Sequence, residues 1–290
     1  MSSSTVLDRG YRRYEGPREA RARRLQTLFV AGLRRALGLR RTWRAKIVPW
    51  SLILLAFAPV QLFLLFALAG VENDSSTFSY GGYLEATTLL LLPLAAVTGA
   101  EIVCGERREK LLTLIFTRPV TSAEYVGAKL AVVLAILASV TLAPLALLFV
   151  GNAFSAPDPA VYLTEHLYEL PRIMAASLVV IAYFGTVALA VASLFDRRGL
   201  AVVATLGGIL VASVVVNTVA ALALAQDSLL AGRLIRLLDP AALPYGVVDW
   251  IFGQPVEAGA PTGPVALVAL AIYVLVSLKL FLNYATKAGA

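Results

Sequence analysis

GERREKLLTLIFTRPVTSAEYVGAK, residues 105–129, carries eight charged side chains among its 25 residues: Glu106, Arg107, Arg108, Glu109, Lys110, Arg118, Glu124 and Lys129. It interrupts a chain that is 59% hydrophobic and only 15% charged. An ordinary soluble domain carries roughly 25% charged residues. The chain therefore reads as a membrane protein, and the quoted stretch as a place where it leaves the membrane and re-enters.

Six runs reach the roughly 20 apolar residues that a helix needs to cross a bilayer core: 47–69, 84–104, 128–151, 172–195, 199–224 and 264–284. The expected fold class is an all-α polytopic membrane protein with six transmembrane helices. Only Asp196-Arg197-Arg198-Gly199 intervenes between the fourth and fifth, which forces a tight hairpin and puts its charges at one membrane face. Of the 25 Lys and Arg, 22 fall in residues 1–46, in 101–129, in that turn or near the C-terminus. The other side holds only Arg172, Arg233 and Arg236. Because cytoplasmic connections carry the excess of Lys and Arg, both termini are expected in the cytoplasm. The net charge of +7 is then topological. No nucleic acid is expected as a partner, because the Arg-rich N-terminus has no aromatic-interleaved groove or recognition motif.

Several chemistries lack their residues. Cys104 is the single cysteine, so no intramolecular disulfide forms, and no Cys/His cluster has metal-ligand spacing. The only histidine, His166, lies in a polar loop. No G-x-x-x-x-G-K-[ST] is present, so the chain binds no ATP through a phosphate-binding loop. No cofactor and no catalytic residue are expected in the chain itself. An intramembrane enzyme acting on lipid, a rival reading, needs convergent carboxylates, His or Cys at one membrane depth, and the spans carry no mid-membrane charge. Residues 1–46 contain no apolar core of signal-peptide length, so the first span is expected to serve as the targeting signal.

Two segments outside the spans are amphipathic. Leu25, Leu28, Phe29, Leu33, Ala36 and Leu37 recur at helical spacing, with Arg23, Arg24, Arg34, Arg35 and Arg41 on the other side. This predicts a helix lying in the cytoplasmic interface, apolar face in lipid. Between spans five and six, residues 226–263 hold Leu230, Leu234, Leu237 and Leu238 on one face and Arg233 and Arg236 on another, followed by prolines, Tyr245 and Trp250. A structured outer segment is expected there, a short amphipathic helix and a re-entrant or interfacial piece.

Inside the spans, Pro59, Pro93 and Pro144 predict kinks. Gln61 and Asn217 are the polar residues to mark, as interhelical hydrogen-bonding groups or as a substrate pathway. Ala95 with Gly99, and Gly208 with Ala212, offer close helix approaches.

Within the opening stretch, residues from Arg107 read as a helix with a wide apolar arc of Leu111, Leu112, Leu114, Ile115 and Phe116. Pro119 disfavours helix at Arg118 and ends it. Thr121-Ser122-Ala123-Glu124 fits a capping box and starts the next helix at once.

This order, with Glu101 at the end of span two, then G-E-R-R-E-K-L-L-T, then R-P-V and a Gly127-x-Lys129 opening span three, resembles the permease subunits of type-2 ATP-binding-cassette (ABC) exporters. That family includes the permease that serves copper-site maturation of nitrous-oxide reductase. Its segment E…G-T-L-x-x-L-L-x-x-P-V-S-R-x-x-x-x-x-G-K is matched at Glu101 or Glu106, Leu111, Leu112, Pro119, Val120, Gly127 and Lys129. The chain departs from it at Lys110, where Gly is common, and at Ser122-Ala123, where Ser-Arg is common. The resemblance implies a basic N-terminal segment, 1–46, and a six-span permease domain, 47–290, with a coupling segment at 105–127. It implies that Glu101, Glu106, Arg107, Arg108, Glu109, Arg118, Pro119, Thr121 and Glu124 form a surface for a separate ATPase subunit, which binds ATP and Mg. It further implies two copies of that ATPase, a second permease chain, identical or paralogous, a lipid environment and a bacterial cell membrane. Bulk export is the first use implied, and maturation or extraction of an extracytoplasmic protein is the alternative.

Overall fold

The computed structural model describes residues 21–39, 43–68, 79–108, 120–226, 228–254, 261 and 263–289. Among them the chain forms eleven helices and no strand: α1 (Arg21–Ala36), α2 (Trp43–Leu68), α3 (Tyr80–Ala86), α4 (Thr88–Arg108), α5 (Ser122–Ser155), α6 (Pro159–His166), α7 (Glu169–Ala192), α8 (Arg198–Ala225), α9 (Leu229–Arg236), α10 (Leu243–Phe252) and α11 (Gly263–Gly289). Five of these, α4, α5, α7, α8 and α11, are long and apolar enough to cross a membrane. α2, expected as the first of six spans, is helical throughout, but its apolar part among the described residues, Lys46–Leu62, is shorter.

Local chemistry sets the helix ends. Asp158 caps α6 by accepting from the amides of Ala160 and Val161 at 2.9 and 3.3 Å, with Pro159 in the first turn. α10 ends at Gly253, whose φ of 69° is in the left-handed region that favours glycine. Span two, expected over 84–104, is divided instead. α3 closes at Thr87, whose hydroxyl donates to the Leu84 carbonyl at 3.0 Å, and α4 begins at Thr88. Such local side-chain bonds compete with helix continuation, and they displace the span by about a turn.

α7 stands at the centre and packs on α4, α5, α8, α10 and α11. Gly99 of α4 lies against the Ala188 carbonyl of α7; a Cβ there would sit 3.0 Å from the oxygen. The expected Ala95/Gly99 approach is thus used. Gly208 faces open space, because it lies off the stripe of Ala201, Thr205, Ile209, Ser213 and Ala220 that α8 buries.

α1 departs from its expected placement. Its apolar stripe packs on α5 and α4, with Phe29 and Leu33 joining the core. A Cβ on Gly32 would come within 2.9 Å of Val132. Arg35, expected on the polar side, has its Nε and Nη2 buried. Other helices offer the stripe fixed partners, which lipid does not.

The segment after α8 folds back onto the bundle. α9 folds back along α8, with Gly232 close against Leu224. At the turn, Asp239 reaches Ser213, which precedes the end of α8 at Ala225 by 12 residues, or about 18 Å of helix. α10 then returns along α7 and α11, and its Phe252 ring stacks on Tyr80 at 6.1 Å.

Proline in a span leaves a carbonyl without its helical N–H. Pro144 in α5 frees the carbonyl of Val140, and the Tyr83 hydroxyl lies 3.2 Å from that oxygen and 2.9 Å from the Ala56 carbonyl of α2. A single buried hydroxyl thus joins α3, α2 and the bend in α5. Tyr83→Phe removes it while keeping the ring. It is expected to lower stability by about 1 kcal/mol, read as a lower midpoint in thermal unfolding of the detergent-solubilised chain.

Candidate functional site

The charged residues singled out by the sequence gather at the end of the bundle where α4 finishes, here called the basic end. Successive residues of a helix are turned by about 100°, so Glu101, Glu106 and Arg107 leave α4 in three directions. Each direction meets a different element.

Glu101 pairs with Arg198, the first residue of α8. Its side chain is 5% exposed, whereas that of Arg198 is 49% exposed. Arg107 pairs with Asp196 in the α7–α8 turn at 2.6 Å, and its guanidinium carbon lies 5.6 Å from the centroid of the Tyr284 ring on α11. Between them, the Cys104 thiol points at the Ala192 and Phe195 carbonyls, at 3.5 and 3.3 Å. The Asp196-Arg197-Arg198 turn therefore clamps onto α4 from both sides.

Glu106 points into the protein. One carboxylate oxygen is bound by the Lys129 ammonium and the other accepts from the Tyr125 hydroxyl at 2.9 Å. Tyr125 and Lys129 are four apart on α5, which places both on one face. The ammonium also lies 5.3 Å from the Tyr125 ring centroid. Lys129 is 2% exposed and Glu106 is 6% exposed. Both charges are desolvated, and removing either partner leaves the other buried and uncompensated.

α1 closes the site from another side. Arg35 lies across Gly105, where a Cβ would fall 2.9 Å from its Nη2. Arg21 pairs with Glu124. The expected capping box is present: the Glu124 amide donates to the Thr121 hydroxyl at 3.3 Å, and the Thr121 amide donates to the Glu124 carboxylate at 2.8 Å. Glu124 thus caps α5 and holds α1 at once. Arg21 remains 72% exposed, so this ion pair contributes little by itself.

Glu101, Glu106, Arg107, Thr121 and Glu124 are thus brought together, and Arg108 is exposed beside them. Glu109, Arg118 and Pro119, with the helix expected over 107–118, lie outside the described residues apart from Arg107 and Arg108 at the end of α4. Gln61 lies apart, exposed on α2. Asn217 lies toward the opposite end, where its amide donates to Asp239 at 2.6 Å. Sequence reasoning missed Tyr125 and Arg35 as members of the site and missed the inward direction of Glu106. A Lys four residues after a Tyr, just behind a capping box, was the available signal. Among the described residues, no three His, Cys, Asp or Glu converge on a position for a metal ion.

Residues 40–212 match the family model described as ABC-2 family transporter protein, and no curated protein matches the chain. The match covers more than half of the 290 residues, and the chain belongs to that family. It is a multi-pass membrane protein.

The buried pair yields a stability test. Lys129→Ala is expected to destabilise the chain by about 3–5 kcal/mol. Glu106→Gln combined with Lys129→Met should recover much of that loss, since no unpaired charge remains. Denaturant titration of the single and double variants, read as a double-mutant cycle, measures the coupling.

Proposed function

We propose that this ABC-2 family chain is the permease subunit of an export complex, and that a separate ATP-binding subunit docks at its basic end. The observation that carries the reading is the buried binding of Glu106 by Lys129 and Tyr125, which fastens α4 to α5 where residues 109–119 leave and return. A push on that connection displaces both helices together. In this reading the basic end faces the cytoplasm. Two such chains pair, each above one ATPase, and ATP and Mg are bound by those partners.

The residues divide into two roles. Glu106 and Arg107 are satisfied within the chain, so they are positioning residues that stiffen the base of the connection. Arg108 is exposed beside it, a charge available to a partner. A conformational change can be driven only by differential affinity for two states. The permease must therefore offer the ATPase a stiff surface whose position depends on the state of the bundle. The Thr121 cap and the Glu106–Lys129 pair supply stiffness at both ends of that surface.

The test uses the full chain in lipid nanodiscs with a candidate ABC ATP-binding subunit from the same organism. The wild type is expected to retain that subunit and to alter its ATPase rate. Arg108→Glu should weaken retention severalfold without lowering thermal stability. Glu106→Gln combined with Lys129→Met, which leaves no buried charge unpaired, should retain the subunit while losing the change in ATPase rate. A wild-type chain that neither binds the subunit nor affects its turnover would overturn the proposal.

A further inference from the structure

The turn of the folded-back segment carries a carboxylate into the bundle. Asp239 is 2% exposed. One oxygen accepts from the Ser213 hydroxyl and from the amides of Ala241 and Ala242, at 3.0 and 3.3 Å. The other accepts from the Asn217 amide at 2.6 Å. The Ser213 hydroxyl is also within 3.2 Å of the Ala241 amide. Around the turn, Tyr273 of α11 donates to the Leu238 carbonyl at 3.4 Å, and Tyr183 of α7 meets the Tyr273 ring edge-on at 6.0 Å. The carboxylate caps the chain entering α10 and grips two successive turns of α8.

α8 is itself held in an unusual way. Its fully buried positions, Ala201, Thr205, Ile209, Ser213 and Ala220, are mostly small, with Val202 and Leu206 partly buried against the core beside them. Polar locks hold α8 at two levels, Arg198 on Glu101 at the basic end and Ser213 with Asn217 on Asp239 past its middle. The locks are separated by 15 residues, or about 22 Å of continuous helix.

We propose that Asp239 is a latch through which movement of α8, imposed at the Arg198–Glu101 lock, is delivered to α10. Asp239 is then a positioning residue, with the stretch of α8 from Arg198 to Ser213 as a rigid rod between the two locks. The proposal depends on the export reading for its purpose, but the rod and the latch can be tested on the permease chain alone. With the latch closed, α8 cannot shift without carrying α10. With it open, α9 still follows α8, on which it packs, but α10 does not.

The experiment is pulsed electron resonance on the full chain in nanodiscs, in a Cys104→Ala background. Nitroxides are placed at Trp250→Cys on α10 and Phe154→Cys at the end of α5, both exposed positions. Asp239→Asn should raise the population of a displaced α10 by about tenfold or more, as expected for weakened hydrogen bonds to a charged group. Glu101→Gln, at the opposite lock, should shift the same distance distribution while Asp239 is intact and add nothing once Asp239→Asn is present. If Asp239→Asn fails to fold, Ser213→Ala with Asn217→Leu opens the latch from the α8 side and is read by the same outcomes. Additive effects of the two locks, or a distribution that Glu101→Gln leaves unchanged, would overturn the latch. Because no ATP-binding subunit is present, neither result bears on whether one docks at the basic end.

Discussion

A carboxylate removed from water must be given partners, and at Glu106 that constraint organises the basic end of the protein. Its two oxygens are taken by Lys129 and Tyr125, so α4 and α5 meet at a fixed rotation about their axes. Once α4 is set, Arg107 and Glu101 can reach only the α7–α8 turn and the start of α8. Gly105 then leaves the opening through which Arg35 brings α1 against the same turns. The mutual attraction of buried charges seldom exceeds their desolvation cost by much. The pair is better understood as specifying an arrangement than as adding net stability.

Between apolar helices in lipid, hydrophobic burial supplies little drive for association, and packing and hydrogen bonds must supply the rest. The protein answers with a small number of placed contacts. Gly99 lets α4 close on the Ala188 backbone of α7, and Tyr83 occupies the carbonyl that Pro144 frees. Asp239 ties the folded-back turn to α8. Polar anchors along apolar seams let helices hold register without being immobilised along their whole length. A permease that must exchange two arrangements needs that combination.

The features legible in the sequence were those set within a short window. Five long apolar helices, the charged turn at Asp196-Arg197-Arg198 and the capping box at Thr121 each depend on neighbours a few residues away. The division of span two at Thr87 was local too, but two Thr hydroxyls in an apolar run resemble ordinary span residues until their carbonyl partners are known. α1 was amphipathic as read, yet amphipathicity alone does not distinguish a lipid surface from a helix surface. The reading that the spans carry no mid-membrane charge gave no sign of Asp239, because it reaches the interior from a connecting segment.

By itself the sequence determined an all-helical membrane chain with its charge gathered at one end and a capped, charged connection leaving that end, because hydropathy, charge count and caps are short-range properties. Only the tertiary structure decided which charges face inward. Glu106 and Arg108 are two residues apart in one helical turn, with nothing between them to mark one as buried and the other as exposed. Their difference arises because Lys129, 23 residues further along the chain, arrives beside one and not the other. The same holds for Asp239 and Ser213, whose meeting depends on the fold-back of α9 along α8. Side-chain direction in a helix is periodic and local, but the partner it meets depends on how separate helices pack.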